Sequence, residues 1–414
     1  MSMLLKNSAW SLMAQSGKVC TQAGLFILLA RGLGTYEFGL YMAIFSISQL
    51  VYPFSGLGTH NTLVMRVSRC PRILPFYFWT PLIGTLVIGS VIALLTTVVV
   101  ASLYRSPLMV AMAILLTELV AYRLIDVATH AWQAMEQLKK GAIAYLTISF
   151  YRVILALVLF ILGNLSLTAW AALNLVVTML VAIYYNIRVT REHNIGMRCF
   201  RFYPKEITRG AYFSFSGTSQ AINSNIDKVV LSRLASLNDV GVYSAAFRIV
   251  QMGLLPLMAV LQATYPLYFK EGKKGLGSAL KFSKRISLFL LAYGVSALIG
   301  IYVLSPVVPW LLGEQYIGSV AYMRMLAPLP LIQVLHYLLG EAMTGAGLQR
   351  FRALTQILVG LMSIVMNIAL ISAFGVEGAI MTVLLGEVLL FLGYLLVISV
   401  VTNSTGKRPK CICP

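Results

Sequence analysis

The chain has 414 residues, 59% of them hydrophobic and only 11% charged, with a mean hydropathy of +0.84. Soluble domains carry about 25% charged residues, so an ordinary soluble protein is excluded. The formal net charge of +19 invites a nucleic-acid partner, but the basic residues cluster in alternate connections between apolar stretches, which argues against one.

Apolar stretches of about 20 residues, long enough to cross a bilayer as helices, recur from end to end. Twelve are read, centred near residues 20, 48, 90, 117, 152, 177, 223, 253, 294, 334, 362 and 389. The alternating segments of about 10 residues that mark a membrane β-barrel are absent. The N-terminus lacks a basic leader and a small-residue cleavage site, and the first span carries Lys18, so this span is expected to be retained.

The first span places Asn7, Ser11, Gln15, Lys18 and Gln22 on one helical face of an otherwise apolar helix. Next comes the segment Arg31–Gln49, which returns 202 positions later as Arg233–Gln251 with seven identities in 19 positions, among them Gly39 with Gly241, Tyr41 with Tyr243 and Gln49 with Gln251. A repeat six spans apart keeps its orientation. It predicts two six-helix bundles related by an axis along the membrane normal, with a substrate path between them. The bundles are expected over 1–190 and 211–402, joined by a basic linker at 191–210 and followed by a tail at 403–414.

Pro53 in the second span and Pro256 in the eighth each remove an intrahelical bond, so both helices are expected to kink beside the repeat. The fourth span carries Glu118, Arg123 and Asp126. Arg123 and Asp126, three apart, are expected to pair. The fifth carries Arg152. The seventh repeats the polar face with Ser216, Gln220, Asn223 and Asp227. Lys228 is adjacent to Asp227 and is expected to point away from it. The eighth carries Ser244, Arg248 and Gln251 on one face, and the tenth and twelfth carry Glu341 and Glu387.

Placing the N-terminus in the cytoplasm leaves 23 Lys and Arg in the inner connections and 4 in the outer ones. By the positive-inside rule both termini are then cytoplasmic. Cys70, Cys199, Cys411 and Cys413 fall on the reducing side, and Cys20 lies in the first span, so no disulfide framework is read. No metal set, cofactor or catalytic residue is read either. There is no sequence of the form G-x-x-x-x-G-K-[ST], so the chain does not drive transport with ATP itself.

A charge at the bilayer centre costs at least ~2.5–3.5 kcal/mol, which makes the intramembrane ionisable residues functional candidates. Lys18, Arg152 and Arg248 have no acid within reach on their own helices. Converging, they would form an anion site suited to phosphate, with Arg123 and Lys228 as weaker members. The alternative is that each has a partner on another helix. Ser11, Gln15, Gln22, Gln220, Asn223 and Gln251 would line the cavity, Asp227 and Glu118 are candidates for ion coupling, and Tyr41, Tyr243 and Tyr337 for stacking on sugars.

The turn "LLARGLGTYEFGLY", with Arg31, Leu33, Gly34, Phe38, Gly39 and Tyr41, followed by "GLGTHNTLVMRVSR", resembles the Wzx-type flippases of lipid-linked O-antigen repeat units. They belong to the superfamily that also holds multidrug extruders and peptidoglycan lipid flippases. The second copy departs from the motif, with Ala235 and Ser236 where Leu33 and Gly34 stand. The resemblance implies a twelve-helix, two-bundle transporter with a cationic lumen and alternating access, in the bacterial inner membrane. The cargo it implies is an undecaprenyl-pyrophosphate-linked oligosaccharide, and the partners are glycosyltransferases and a polymerase of the same pathway. Two alternatives are an ion-coupled exporter of cationic drugs on the same fold and a membrane polymerase or glycosyltransferase, the latter disfavoured by the short outer connections.

Overall fold

The computed structural model describes residues 2–68, 70–196 and 203–404. Within helices it describes the backbone alone for residues 2–20, 209, 212, 213, 215–217, 219, 220, 223, 262, 263, 266, 403 and 404. The described residues are helical from end to end, with no strand among them. They form twelve helical rods: α1 (2–33), α2 (35–67, bent), α3 (Pro71–Tyr104), α4 (Leu108–Ala134), α5 (Leu138–Ile161), α6 (Leu167–Glu192), α7 (Pro204–Leu234), α8 (237–272, bent), α9 (Leu276–Leu304), α10 (Ser319–Gly345), α11 (Gln349–Phe374) and α12 (Val376–Ser404).

Eight of these are long and apolar enough to cross a membrane, and two bent pairs bring the number to ten. The seventh rod owes its absence from that set to its run of Ser, Asn, Gln and charged residues. The outward faces carry Leu, Val, Ile and Phe in large numbers, as lipid contact requires.

Packing divides the chain into two compact units, Met1–Ser232 and Arg233–Pro414. By this division nearly all of α7 goes with the first unit, whereas the repeat groups it with α8. The two divisions differ by one helix.

The repeat is visible in the geometry of each unit. Gly34, with φ 74° and ψ 174°, separates α1 from α2, a conformation that glycine alone adopts readily. Its counterpart 202 positions on is Ser236, which starts α8 by a capping box. The Ser236 hydroxyl accepts from the Asp239 backbone N–H at 3.1 Å, and the Asp239 carboxylate accepts from the Ser236 N–H at 3.2 Å. One copy thus breaks the chain with backbone freedom, the other with side-chain hydrogen bonds. Tyr41 stacks on Phe45 at 6.0 Å and Tyr243 on Phe247 at 5.7 Å. The expected kinks are present in both copies. The break after Phe54 turns α2 by 44°, and the one before Leu255 turns α8 by 42°.

Candidate functional site

The bend of α2 organises the interior of the first unit. Tyr52–Phe54 tighten into a single narrow turn at Pro53. Leu57 and Gly58 follow with φ 44° and 62°, and the helix restarts at Thr59. The beginning of α7 packs straight onto this break. The Ser214 hydroxyl donates to the Pro53 carbonyl at 2.6 Å, and a methyl group at Gly210 would run into the Leu57 carbonyl. Arg66 pairs with Glu206 at 3.0 Å, and Tyr77 stacks on Tyr203 at 4.4 Å, so the N-terminal end of α7 is fixed to α2 and α3.

Opposite the bend, α4 widens into a π-turn over Thr117–Ala121, as α3 does over Thr85–Gly89. Such turns loosen the backbone ladder and cluster at functional sites. The Ser55 hydroxyl donates to the Leu119 carbonyl within this turn, and a side chain at Gly89 would collide with the same carbonyl.

One turn further along α4, Asp126 is enclosed. Its Oδ1 accepts from the Tyr145 hydroxyl at 2.5 Å, and its Oδ2 accepts from the Tyr52 hydroxyl and from Arg123 at 3.1 Å. The Arg123 guanidinium also lies 4.4 Å from the centre of the Tyr52 ring. His130 Nδ1 is 2.7 Å from the Asp126 carbonyl, and its ring meets His60 edge to face at 4.7 Å. The pairing of Arg123 with Asp126 is the one its spacing predicts.

A cavity of about 360 Å³ opens above this network, between the α2 bend, α4 and α7. Its polar walls are Gln49, Tyr52, His60, Asn61, Arg123 and the Ser224–Asn225 pair. Arg123 is only 5% exposed, and its Nε has no partner in the protein. The cavity therefore offers amides, hydroxyls, an imidazole and one arginine edge, with both oxygens of the nearest carboxylate already occupied.

Two other predicted residues, Arg152 and Lys228, are placed differently from expectation. Arg152 is not a free cation. It donates to Glu118 at 3.1 Å across α5 and α4, and both side chains are buried, so the pair is neutral. Each finds its partner on a neighbouring helix, where the sequence shows none. Glu118 is thereby committed to Arg152. Lys228 does not point away from Asp227, because its long stem folds back. The Nζ lies 3.1 Å from both carboxylate oxygens and 3.1 Å from the Ser224 carbonyl.

Arg248 and Gln251 are half-buried on α8 in the second unit, and Gln22 is half-buried on α1. The side chains of Lys18, Ser11, Gln15, Gln220 and Asn223 lie outside the described residues. Tyr41 and Tyr243 are buried in their stacks, at 7% and 0% exposure, and present no face to a sugar. Tyr337 lies against His336 at 4.3 Å.

Sequence reading missed Tyr52, His60, Asn61, His130, Tyr145, Ser224 and Asn225. A signal for two of them, His60 and Asn61, was present: polar "THN" at Thr59–Asn61 directly follows a Pro- and Gly-marked break inside an apolar span.

The model of a family described as polysaccharide biosynthesis protein matches residues 4–271. The chain belongs to that family. No curated protein matches it significantly. Among solved structures it is similar to a multidrug resistance MATE family transporter of the MOP superfamily in its inward-facing conformation, at TM-score 0.80 and 14% identity, over 94% of this chain and 96% of that one. A MOP superfamily transporter from Pyrococcus furiosus, described as having a binding pocket of reversed polarity that suggests a different function, aligns at TM-score 0.68 and 14% identity, over 98% and 96%. The outward-facing form of a multidrug resistance MATE transporter aligns at 0.66 and 14%, over 97% of each. At these identities the likeness shows the fold alone, the twelve-helix fold of those transporters.

Proposed function

We propose that this family member moves a lipid-linked oligosaccharide, carried on undecaprenyl pyrophosphate, from the inner to the outer leaflet of the bacterial cytoplasmic membrane by alternating access. The observation that carries the reading is the chemistry of the cavity in the first unit. Sugars are recognised by polar groups that both donate and accept, and the amides of Gln49, Asn61 and Asn225 supply them. Arg123, the arginine on the cavity wall, is the cation best suited to a phosphate oxygen. Lys18, Arg248 and Lys228 remain candidates for the same anion.

The rival reading, an exporter of cationic drugs, draws on the multidrug neighbours. A cationic cargo calls for a carboxylate open to the cavity. Asp126 is instead satisfied by Arg123, Tyr52 and Tyr145. Coupling to an ion through Glu118 or Asp227 would first require an ion pair to open.

The basic inner connections support cytoplasmic termini and a docking side for the glycosyltransferases that build the cargo. The duplicated halves, 1–190 and 211–402, would be the moving parts. Deletion of the gene tests the proposal. Surface polysaccharide should disappear and the lipid-linked repeat unit should accumulate, with sensitivity to cationic dyes unchanged. Normal surface polysaccharide with increased dye sensitivity would reverse the assignment.

A further inference from the structure

The hairpin that joins α8 to α9 in the second unit carries an exposed run of cations that the cargo reading does not use. Residues 270–285 hold Lys270, Lys273, Lys274, Lys281, Lys284 and Arg285 against one acid, Glu271. All six cations are exposed. Glu271 is already taken: it accepts from Lys274 Nζ at 2.9 Å and from the Ser278 hydroxyl at 2.6 Å. Among the described residues the other five cations form no ion pair. Like charges gathered without counter-charges make this surface attractive to anions.

The side of α9 on which they stand narrows the kind of anion. The buried positions of this helix, Ala279, Ser283, Leu290, Gly294 and Ile301, fall on one side. That side faces α10, where Gly294 lies against Leu331 and the Ser283 hydroxyl donates to the Leu338 carbonyl at 2.9 Å. The opposite side is an exposed apolar stripe of Leu288, Phe289, Val295, Ile299 and Tyr302. Lys281, Lys284 and Arg285 continue the same stripe by steps of three and four residues, one to two turns before Leu288. Ser287 and Ser296 return their hydroxyls to the Lys284 and Tyr293 carbonyls at 2.9 Å and 2.8 Å, which leaves no unmet donor facing hydrocarbon. The stretch Leu288–Leu304 rises about 24 Å along the helix axis. This is close to the roughly 30 Å thickness of a bilayer's hydrocarbon core. At its far end the Arg324 guanidinium lies 5.0 Å from the centre of the Tyr302 ring, an aromatic and cationic belt. Lys281, Lys284 and Arg285 therefore stand where acyl chains give way to headgroups.

We propose that Lys281, Lys284 and Arg285, with Lys270 and Lys273 from the α8 side of the hairpin, bind the phosphate group of an anionic phospholipid whose acyl chains lie along the exposed stripe of α9. Basic side chains rest their apolar stems on such a stripe and carry the charge out to headgroup level. An acidic soluble protein would use the cations alone. The apolar stripe that runs on directly from them is a surface that a lipid uses as well.

Lipid preference at the protein surface tests this. Purified full-length protein is reconstituted in phosphatidylcholine vesicles, and electron spin resonance of spin-labelled phosphatidylglycerol and phosphatidylcholine gives the ratio of their association constants. The wild type should prefer phosphatidylglycerol about threefold or more. The triple variant Lys281→Gln, Lys284→Gln, Arg285→Gln, checked for a monodisperse elution profile, should bring the ratio close to one. Lys281→Arg with Lys284→Arg keeps both charges and should keep the preference. Lys139→Gln, Arg191→Gln, Lys205→Gln removes the same charge from exposed positions of the first unit and should also keep it. No preference in the wild type, an unchanged ratio in the folded α9 triple variant, or an equal drop in both triple variants overturns the proposal. A loss of preference with inorganic phosphate, beyond that with sodium chloride at matched ionic strength, overturns it too, because the cations would then serve a soluble phosphate. The measurement needs no cargo, so it stands or falls separately from the oligosaccharide reading.

Discussion

Arg152 and Glu118 meet at 3.1 Å inside the first unit, each almost fully removed from solvent. Two residues separated by 34 positions, each unpaired on its own helix, cancel one another. Removing one member of a buried pair leaves the other uncompensated, at a cost of about 3–5 kcal/mol, whereas replacing both by apolar residues of similar volume is near neutral. Arg152→Ala and Glu118→Gln should each lower the apparent melting temperature and the membrane content of the protein. Arg152→Met with Glu118→Leu should restore most of it. Thermal scans of the detergent-solubilised variants check this.

Asp126 holds Tyr52, Tyr145 and Arg123 together at the bend of α2. Asp126→Asn removes the counter-charge but keeps the volume, leaving the Arg123 guanidinium stacked on Tyr52 with no anion beside it. Export of surface polysaccharide should fall at least tenfold at equal protein level. Tyr145→Phe, which removes one of the three hydrogen bonds, should cost about 1 kcal/mol of stability and little export. Immunoblots of protein and polysaccharide from the same cells separate the two effects.

Gly210 is where α7 lies on the backbone of α2, with the Leu57 carbonyl filling the space of a side chain. Gly210→Ala should force α7 off the bend, so that the Ser214 bond to Pro53 and the cavity wall at Ser224–Asn225 are lost together. Export should be abolished. Gly277→Ala, at an exposed helical position with open space around it, should be neutral or slightly stabilising. The pair separates a packing effect from a general intolerance to substitution.

The cavity amides should act additively. Asn61→Leu and Asn225→Leu each remove a hydrogen-bonding group of about 1 kcal/mol, so each should reduce export roughly fivefold and the double variant more. A larger loss with a longer glycan than with a shorter one would locate the sugars rather than the lipid at this wall. Radiolabelled glycan chased to the cell surface gives the rates.

Much of the scaffold is written in local patterns. The apolar runs, the 202-residue repeat, the kinks at Pro53 and Pro256 and the Arg123–Asp126 pair all rest on spacing within one or two helices, and each is present. What spacing cannot carry is the contact between helices distant in sequence. Arg152 looks unpaired until α4 is laid beside α5. Tyr52 and Tyr145 look like ordinary apolar-span tyrosines until both reach Asp126. Lys228 was misjudged for a different reason, because helix geometry fixes the direction of Cβ and not the end of a four-carbon stem. The cavity wall of Asn61, Ser224 and Asn225 was hidden because α7 goes with the first unit by packing, a fact of tertiary contact alone.

The most direct measurement of the central claim uses the purified protein in vesicles loaded with a fluorescent undecaprenyl-pyrophosphate oligosaccharide, with the accessibility of the glycan to a membrane-impermeant lectin followed over time. The account predicts that label initially confined to the inner leaflet becomes lectin-accessible within minutes in the presence of the protein, and that Asp126→Asn and Gly210→Ala vesicles stay at the protein-free rate. Equal rates for wild-type and protein-free vesicles, with the protein folded and correctly inserted, would contradict it.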